Sequence, residues 1–362
     1  MQSTLPACSS RHVFGAQRLA RGRRVVVRAE TVTRDKPAWT GDSILSKVVN
    51  WAIDTPPLYG AMKVLAKNAM KSSAESRGIK WDAHVKEMQN LKELEAIKAE
   101  LEDPALQPYP DYYLKPFHAY ETGNLEWLAA WEVEPATYAI GIRTFKDHPE
   151  WSAEKCFVEM RRRMTDALKS YHAQHGLPLP RRIVDMGCST GMSTTWFAQQ
   201  FPDTDGPIVG LDLSPYMLAV AEWERRRREA AAPAAGDKPR SAPIKYIHGL
   251  AEKSPFDAAS QDMVVFNFVI HECPQRVIDS FVQEGLRVVK PSGVLCFIDN
   301  NPKSKTIQNL PAPIFTLMKS TEPWTDEYYS YDLEAAMRAA GFREVVTVDT
   351  DHRHRCVMGI RP

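Results

Sequence analysis

The chain has 362 residues, of which 44% are apolar and 25% charged, and its formal net charge is +1 at pH 7. This composition excludes a wholly disordered chain, and the near-zero net charge gives no reason to expect a nucleic-acid partner. No apolar run reaches the length of a membrane span. The six cysteines form no CxxC pair or metal-ligand spacing, which favours a reducing compartment and predicts no bound metal.

The first 29 residues differ in composition from the rest of the chain. They hold six arginines and several serine and threonine residues, and no acidic residue precedes Glu30. This composition predicts an organelle transit peptide. Residues 25–29 resemble the cleavage regions of algal chloroplast transit peptides, so we predict cleavage near Ala29 and a chloroplast location, in the stroma or at a thylakoid or plastoglobule surface. A disordered basic tail and a mitochondrial address are the alternatives.

Residues 30–176 are predicted to form a helical region. The lysines among the apolar positions before Met70 permit a helix that lies on a membrane surface. Packing against the rest of the protein, with the lysines in water, is the alternative that we favour. The predicted helices lie within Asp42–Met70, with a break at Thr55–Pro57, and over His84–Leu101, Trp131–Arg143 and Trp151–His172.

The segment 109–127 combines aromatic and polar residues in a way that is unusual for a linker. It is predicted to be either a lid over a ligand or a packing surface between two subdomains. As a lid it supplies Tyr113, Phe117, Tyr120 and Trp127 as contacts for a substrate.

Residues 182–191 predict a buried strand, a tight glycine turn and the start of a helix. Glycines in such a turn let a ligand approach the backbone, and the helix N-terminus offers free N–H groups. A dinucleotide site favours G-x-G-x-x-G. This segment instead has Asp185, Gly187 and Gly191, with Ser189 at the position of a middle glycine.

Four further strands follow this turn in the sequence. Strand 208–212 ends in Asp212, whose carboxylate can accept both hydrogen bonds of a ribose diol. A strand at 244–248 leads into the loop 249–256, a strand at 261–267 leads to His271, and residues 284–299 form a helix end followed by a strand.

These motifs and their order resemble class I S-adenosylmethionine (SAM)-dependent methyltransferases. The similarity is to the D-x-G-x-G-x-G turn and the E-x-x-R-V-L-K-P-G-G-x-L-x-x-x-D stretch of the ubiquinone and menaquinone methyltransferase branch, and to a plastid group of the green lineage. The resemblance implies an α/β, Rossmann-like sheet of seven strands, the last antiparallel, flanked by helices, over residues 177–362, with an N-terminal helical subdomain. Another kind of doubly wound nucleotide-binding fold is the alternative.

The resemblance implies SAM as the cofactor and assigns residues to it. Leu250 stands where the family has an aspartate that meets the adenine amino group, so we expect the Ala251 N–H or Glu252 to replace that contact. The cofactor-binding candidates are Asp185, Gly187, Cys188, Ser189, Gly191, Asp212, Leu213, Met217, Ala251, Glu252 and Asn267.

His271 is the candidate general base, because it follows the fourth strand and its ordinary pKa suits neutral pH. Glu272 can orient it or act itself. The alternative is that His271 caps the following helix or packs against Cys273 and Pro274. Met318 and Trp324, in the connection after the fifth strand, are candidates for the acceptor pocket, while His352 and His354 are predicted to lie on the surface.

The predicted function is methyl transfer, by direct in-line displacement, to a small amphipathic or aromatic plastid metabolite such as a prenylquinone. The predicted partner is this small molecule; peripheral contact of the basic helices with a membrane surface stays open as the alternative to their packing, and nucleic acid is not expected. A protein or RNA methyltransferase is a weaker hypothesis, because residues 267–270 lack the N/D-P-P-Y motif. A SAM-binding assembly or regulatory factor that has lost catalysis is the third.

Overall fold

The computed structural model describes residues 36–37, 39–40, 47, 51, 55–118, 120–231 and 241–362. The described residues all lie in one compact unit, Arg34–Pro362. The predicted transit peptide and most of the first predicted helix lie outside the described residues. The predicted domain boundary at residue 176 lies between the N-terminal helices and the first strand of the sheet. The residues on both sides of it belong to the same compact unit, Arg34–Pro362.

One seven-stranded sheet organises this unit, in the order β3-β2-β1-β4-β5-β7-β6. The first five strands are parallel, and β7 runs antiparallel between β5 and β6. This arrangement confirms the predicted fold class. The strands are β1 (Ile183–Met186), β2 (Ile208–Asp212), β3 (Ile244–His248), β4 (Gln261–Asn267), β5 (Val289–Asn300), β6 (Arg343–Asp349) and β7 (His354–Ile360).

Helices cover both faces of the sheet, and two apolar cores result. Val184 and Met186 point into one core, whereas Ile183, in the same strand, points into the other. Because both faces of β1 are covered, its four residues are all buried, as is usual for parallel sheets. The helices are α1 (Pro56–Glu75), α2 (Trp81–Gln89), α3 (Glu93–Leu101), α4 (Trp127–Thr144), α5 (Ala153–Gln174), α6 (Met192–Gln200), α7 (Pro215–Ala230), α8 (Gln275–Val288), α9 (Lys305–Gln308), α10 (Ala312–Thr321), α11 (Thr325–Ser330) and α12 (Leu333–Ala340).

The helix predicted over His84–Leu101 is wrong as a single element, because the structure has α2 and α3 there. Asn90 caps the end of α2, and its backbone N–H donates to the carbonyls of Glu87 and Met88. Met88 lies at the end of α2 and Leu94 at the start of α3. Because the chain breaks between them, both side chains are buried in one small core with α7. Burial of these two side chains therefore outweighs the helix propensity of the charged residues around them.

The helices that precede β1 pack against the sheet and its flanking helices, and against each other. Helix α1, for example, contacts α4 and α10. Lys67 pairs with the buried Glu132 at 2.8 Å, and Lys71 pairs with Asp82. The described part of α1, the helix that carries these lysines, therefore packs against the rest of the protein. No helix among the described residues is long and apolar enough to cross a membrane.

Candidate active site

A cavity of about 790 Å³ lies at the carboxyl ends of strands β1 to β5. In open α/β sheets this edge is where ligands bind. The loops that follow the strands form its floor, and the helices α1, α4 and α5, the segment 109–127 and the connection 310–324 form its walls. Sixteen predicted site residues line it: Tyr113, Phe117, Tyr120, Gly187, Cys188, Ser189, Asp212, Leu213, Met217, Ala251, Glu252, Asn267, His271, Glu272, Met318 and Trp324.

The turn after β1 requires glycine for steric reasons. Gly187 has φ +71°, and a Cβ added there would lie 2.6 Å from a methyl carbon of Val269. Gly191 also has positive φ and abuts the Tyr246 ring, so it supports the turn without lining the cavity. Ser189 occupies the left-handed region at φ 50°, which is the conformation that a glycine would adopt more readily. The turn therefore keeps its shape despite the serine.

Asp212 is nearly buried at the end of β2, and its carboxylate organises the loops around it. One oxygen accepts from the Ser189 N–H at 2.7 Å and the other from the Ser214 N–H at 2.8 Å. Burial raises the pKa of Asp212, and these hydrogen bonds, with one from the Tyr113 hydroxyl, act in the opposite direction. Tyr113 thus contacts the acid predicted to hold the ribose, which puts it at the cofactor end of the cavity.

Asp185 lies beneath the cavity and does not line it. One of its oxygens accepts from the hydroxyls of Ser193 and Thr194 at 2.7 and 2.6 Å, and so fixes the start of α6. Burial raises the pKa of Asp185 to about 6, against the opposing effect of these hydrogen bonds. Its role in the structure is to hold the turn and the helix together.

Three of the residues that line the cavity near the turn present buried polar atoms that have no hydrogen-bond partner among the described residues. They are Nε and Nη1 of Arg161, Oγ1 of Thr190 and Oδ1 of Asn267, and all three residues line the cavity. Buried polar groups are normally paired. The methionine end of SAM would supply a carboxylate for the guanidinium and an ammonium for the amide oxygen, so the residues present fit the predicted cofactor.

The loop after β3 differs from the family pattern at Leu250, as the sequence showed. Ala251 and Glu252 line the cavity there, and the Tyr112 hydroxyl donates to Oε1 of Glu252. The carboxylate that we expected to replace the missing aspartate is therefore held by the aromatic segment 109–127. This contact ties the segment to the adenine end of the cavity.

His271 forms a buried pair with Asp299 at the end of β5, where its Nδ1 lies 2.9 Å from Oδ1 of the carboxylate. Burial lowers the pKa of His271, but the charge of Asp299 and the hydrogen bond outweigh it and raise the pKa to about 10. The ring is then an imidazolium at neutral pH and cannot accept a proton there. The structure thus favours a cation that stabilises negative charge over the general base that we predicted.

Glu272, the second catalytic candidate, also contacts the segment 109–127. Its Oε2 accepts from the Asn124 side chain at 2.9 Å, and burial raises the pKa of its carboxyl group. The carbonyl of Asn124 also accepts from the Ser214 hydroxyl. Asn124 thereby links this carboxylate to the loop after β2.

The segment 109–127 covers the cavity and also packs against neighbouring helices. Phe117 is buried, and the N–H of His118 donates to the Thr321 carbonyl at 2.7 Å, which closes the segment onto α10. Tyr120 donates to Glu132. Trp127 does not line the cavity; it stacks on Trp131 and donates to Glu95. The structure therefore places Trp127 in helix packing, away from the position predicted for a substrate contact.

His354 is buried, so its predicted surface position is wrong. Its Nδ1 lies 2.8 Å from Oδ2 of Asp351, and its ring meets Phe268 edge-on at 5.0 Å. Because β7 begins at residue 354 and pairs with the end of β5, this histidine is drawn into the sheet edge. His352 is exposed, as predicted.

Sequence reasoning missed two residues that shape the site, Arg161 and Asp299. Arg161 is the first of three consecutive arginines, and the other two pair with Glu159 on the outer face of α5. A signal existed, because Arg161 falls beside Met160 and Met164 in the buried stripe of that helix. Asp299 is the last residue of the E-x-x-R-V-L-K-P-G-G-x-L-x-x-x-D stretch. No nearby residue in the sequence indicates that it pairs with His271, which follows a different strand.

Comparisons with known proteins agree with this geometry. A protein family described as a methyltransferase domain matches residues 184–297. An uncharacterised methyltransferase of Synechocystis sp. is 28% identical over 179 residues, which is 47% of this chain and 74% of that protein. Two further relatives cover 38% of this chain. A demethylmenaquinone methyltransferase of Geobacillus sp. is 30% identical over 51% of its length, and a malonyl-[acyl-carrier protein] O-methyltransferase of Enterobacter lignolyticus is 32% identical over 45% of its length.

The chain thus spans about half the length of these last two relatives, and the matched part is the parallel sheet with its loops. The sheet order, the cavity at its carboxyl edge and the unpaired polar atoms at the turn agree with the match. Residues 184–297 therefore match a methyltransferase domain, and they lie in a sheet with the strand order of the class I SAM-dependent methyltransferase fold.

Proposed function

We propose that the protein transfers the methyl group of SAM to a small amphipathic or aromatic metabolite, a class that includes the prenylquinones. The observation that carries this proposal is one continuous cavity that reaches from Asp212 to His271 and on to Met318 and Trp324. Its volume of about 790 Å³ lies in the range of small-molecule sites. The demethylmenaquinone methyltransferases among the relatives support a ring-bearing acceptor.

In this reaction the sulfonium of SAM supplies an activated methyl group. The protein's task is to align the acceptor with it and to exclude water, and alignment alone can contribute roughly 7–11 kcal/mol. Arg161, Asn267 and Asp212 would hold the cofactor, while the segment 109–127 covers it. A positive His271 would stabilise an acceptor oxygen that carries negative charge as it attacks.

Binding of S-adenosylhomocysteine, measured by calorimetry, tests the cofactor half of this proposal. Wild type should bind it, and Asp212→Asn should bind at least about tenfold more weakly, because hydrogen bonds to a charged acceptor contribute about 1.5–3 kcal/mol each. Asp166→Asn, on the exposed face of α5, is the matched control.

Transfer of labelled methyl groups from SAM into plastid lipid extracts tests the acceptor half. A labelled lipid with wild type, and none with Asp212→Asn, is the expected result. Cofactor binding without any labelled product would instead favour a SAM-binding factor that does not catalyse transfer.

We also propose a chloroplast location with contact to a membrane surface. The composition of residues 1–29 supports the address. Val64 and Leu65 on α1 are 60% and 58% exposed, and Ile314, 47% exposed, lies at the cavity wall on the neighbouring helix α10. Fluorescence microscopy and membrane fractionation of a fusion protein, with and without residues 1–29, test both points. A fusion that stays outside plastids would refute the address.

A further inference from the structure

The charged residues that line the cavity are unequally paired. Every acid on its wall has a partner: Glu132, Asp212, Glu252, Glu272 and Glu322 are held by the contacts described above or, for Glu322, by His118. Two lining cations are also held, because Lys67 pairs with Glu132 and Arg77 donates to the carbonyls of His148 and Trp151. Among the described residues, seven lysines and arginines but five acids line the cavity, so its wall carries a net positive charge.

Three arginines belong to this unbalanced set, Arg143, Arg161 and Arg353. None of their guanidinium groups pairs with an acid in the described part of the chain, although all three residues line the cavity and none is fully exposed. Burial and the like charge of Arg353 both lower the pKa of Arg143. Two guanidinium groups that share a cavity without an anion repel each other and lose hydration.

The cofactor accounts for only one of these arginines. SAM has one carboxylate, and Arg161 lies beside the turn that holds the methionine end, with its guanidinium 5.8 Å from the ring of Phe268 just after β4. Arg143 comes from the last turn of α4, and Arg353 from the turn before β7. This leaves two arginines without a cofactor group.

Arg353 lies near the reacting end of the cavity. Its carbonyl accepts from the Asn301 N–H at 2.7 Å, and the next residue, His354, pairs with Asn300 across the sheet. Asn300 directly follows Asp299, which holds His271. Arg353 and the imidazole thus lie at the same edge of the sheet, on the acceptor side, and Arg143 lines the same cavity.

Resting on the proposed methyl transfer, we propose that Arg143 and Arg353 form an anion-binding site for the acceptor, which therefore carries a carboxylate or a phosphate. A planar guanidinium binds either group through two parallel N–H···O bonds. Such an anchor would hold an amphipathic acceptor at one point while its reactive atom meets the methyl group. A neutral quinone would leave the pair unbalanced.

Calorimetric binding of naphthalene probes in the presence of saturating S-adenosylhomocysteine tests this inference. The probes are 2-naphthoate, its neutral isostere 2-naphthamide, and 2-naphthyl phosphate, which separates carboxylate from phosphate. We expect wild type to bind one of the anions about tenfold or more tightly than the amide, as charge-assisted hydrogen bonds would give. Arg143→Gln and Arg353→Gln should each reduce that preference, and Arg338→Gln, which pairs with Glu334 on an outer helix, should not.

The cofactor affinity of the same variants decides what a negative result means. Unchanged S-adenosylhomocysteine binding in Arg143→Gln and Arg353→Gln is expected. A large loss of it would assign these arginines to the cofactor and overturn the inference. The inference would also be overturned if wild type bound S-adenosylhomocysteine but bound neither anion more tightly than the amide, or bound none of the probes. Wild type that fails to bind S-adenosylhomocysteine would instead refute the proposed function.

Discussion

The pair of His271 and Asp299 makes the sharpest prediction, through the substitution Asp299→Asn. Asp299 is 1% exposed, and asparagine keeps its shape while it removes the charge. The pKa of His271 should fall from about 10 to below its ordinary value near 6.5, because burial, the largest effect, is then opposed only by the smaller effects of Glu322 and Glu272. At about 1.4 kcal/mol per unit, the rise from 6.5 to about 10 corresponds to on the order of 5 kcal/mol of net stabilisation of the imidazolium, after the opposing cost of burial.

This pair also links stability to pH. The folded-state pKa of His271 lies above that of an unfolded chain, so its contribution is complete below about pH 6.5 and is lost as the pH rises through about 10. In Asp299→Asn the sign reverses, because a buried imidazole without a counter-charge resists protonation. The free energy of unfolding of the variant should therefore fall further behind wild type as the pH drops through 6.5.

Histidine NMR measures the pKa directly, with the His271 signal assigned by its loss in His271→Gln. Wild type should show a midpoint well above 7 and Asp299→Asn a midpoint below 6.5. Asp351→Asn, which removes the partner of another buried histidine, His354, should leave the His271 midpoint in place. A wild-type midpoint at or below 6.5 would refute the imidazolium and return His271 to the role of a base.

Two further predictions concern buried charges. Arg161→Met should weaken S-adenosylhomocysteine binding about tenfold to hundredfold in calorimetry, because it removes the donors for the carboxylate of this ligand. Arg162→Met, on the exposed face of α5, should leave the affinity unchanged. Equal binding by both variants would contradict the assignment of Arg161 to the cofactor. Glu132→Gln should lower the free energy of unfolding by about 3–5 kcal/mol in urea titrations, because Glu132 is 5% exposed and its carboxylate contacts Lys67, Trp81 and Tyr120. The exposed control Glu229→Gln should lower it by less than about 1 kcal/mol. A loss as small as that in Glu132→Gln would show that these contacts do not stabilise the helices.

The sheet and the cofactor end of the site were predictable because their signals are local. A buried strand, a glycine turn and a following acid occupy a few consecutive residues, as around Gly187 and before Asp212. In a parallel sheet the ends of such strands meet at one edge, so the residues converge without further information. The order of the motifs was therefore enough to predict the arrangement that the structure shows.

The acceptor end was not predictable in the same way, because its contacts join distant parts of the chain. Asp299 reaches His271 only through the pairing of β4 with β5, and Arg143 and Arg353 line one cavity although more than 200 residues separate them in the sequence. Composition also failed to separate similar residues in one segment. Trp127 and Phe117 both belong to the aromatic cluster, yet Trp127 packs on Trp131 and Phe117 lines the cavity.

The location of the cavity walls explains why relatives do not identify the acceptor. The family match covers residues 184–297, which supply the floor and, apart from Arg161 and Tyr113, the proposed cofactor contacts. Arg143, Met318, Trp324 and Arg353 all lie outside that range, on helices and turns around the sheet. Relatives that share the sheet can therefore share SAM while their acceptors differ. The acceptor of this protein has to be inferred from those outer residues, and their unbalanced positive charge is the reason to search among acids and phosphates before neutral quinones.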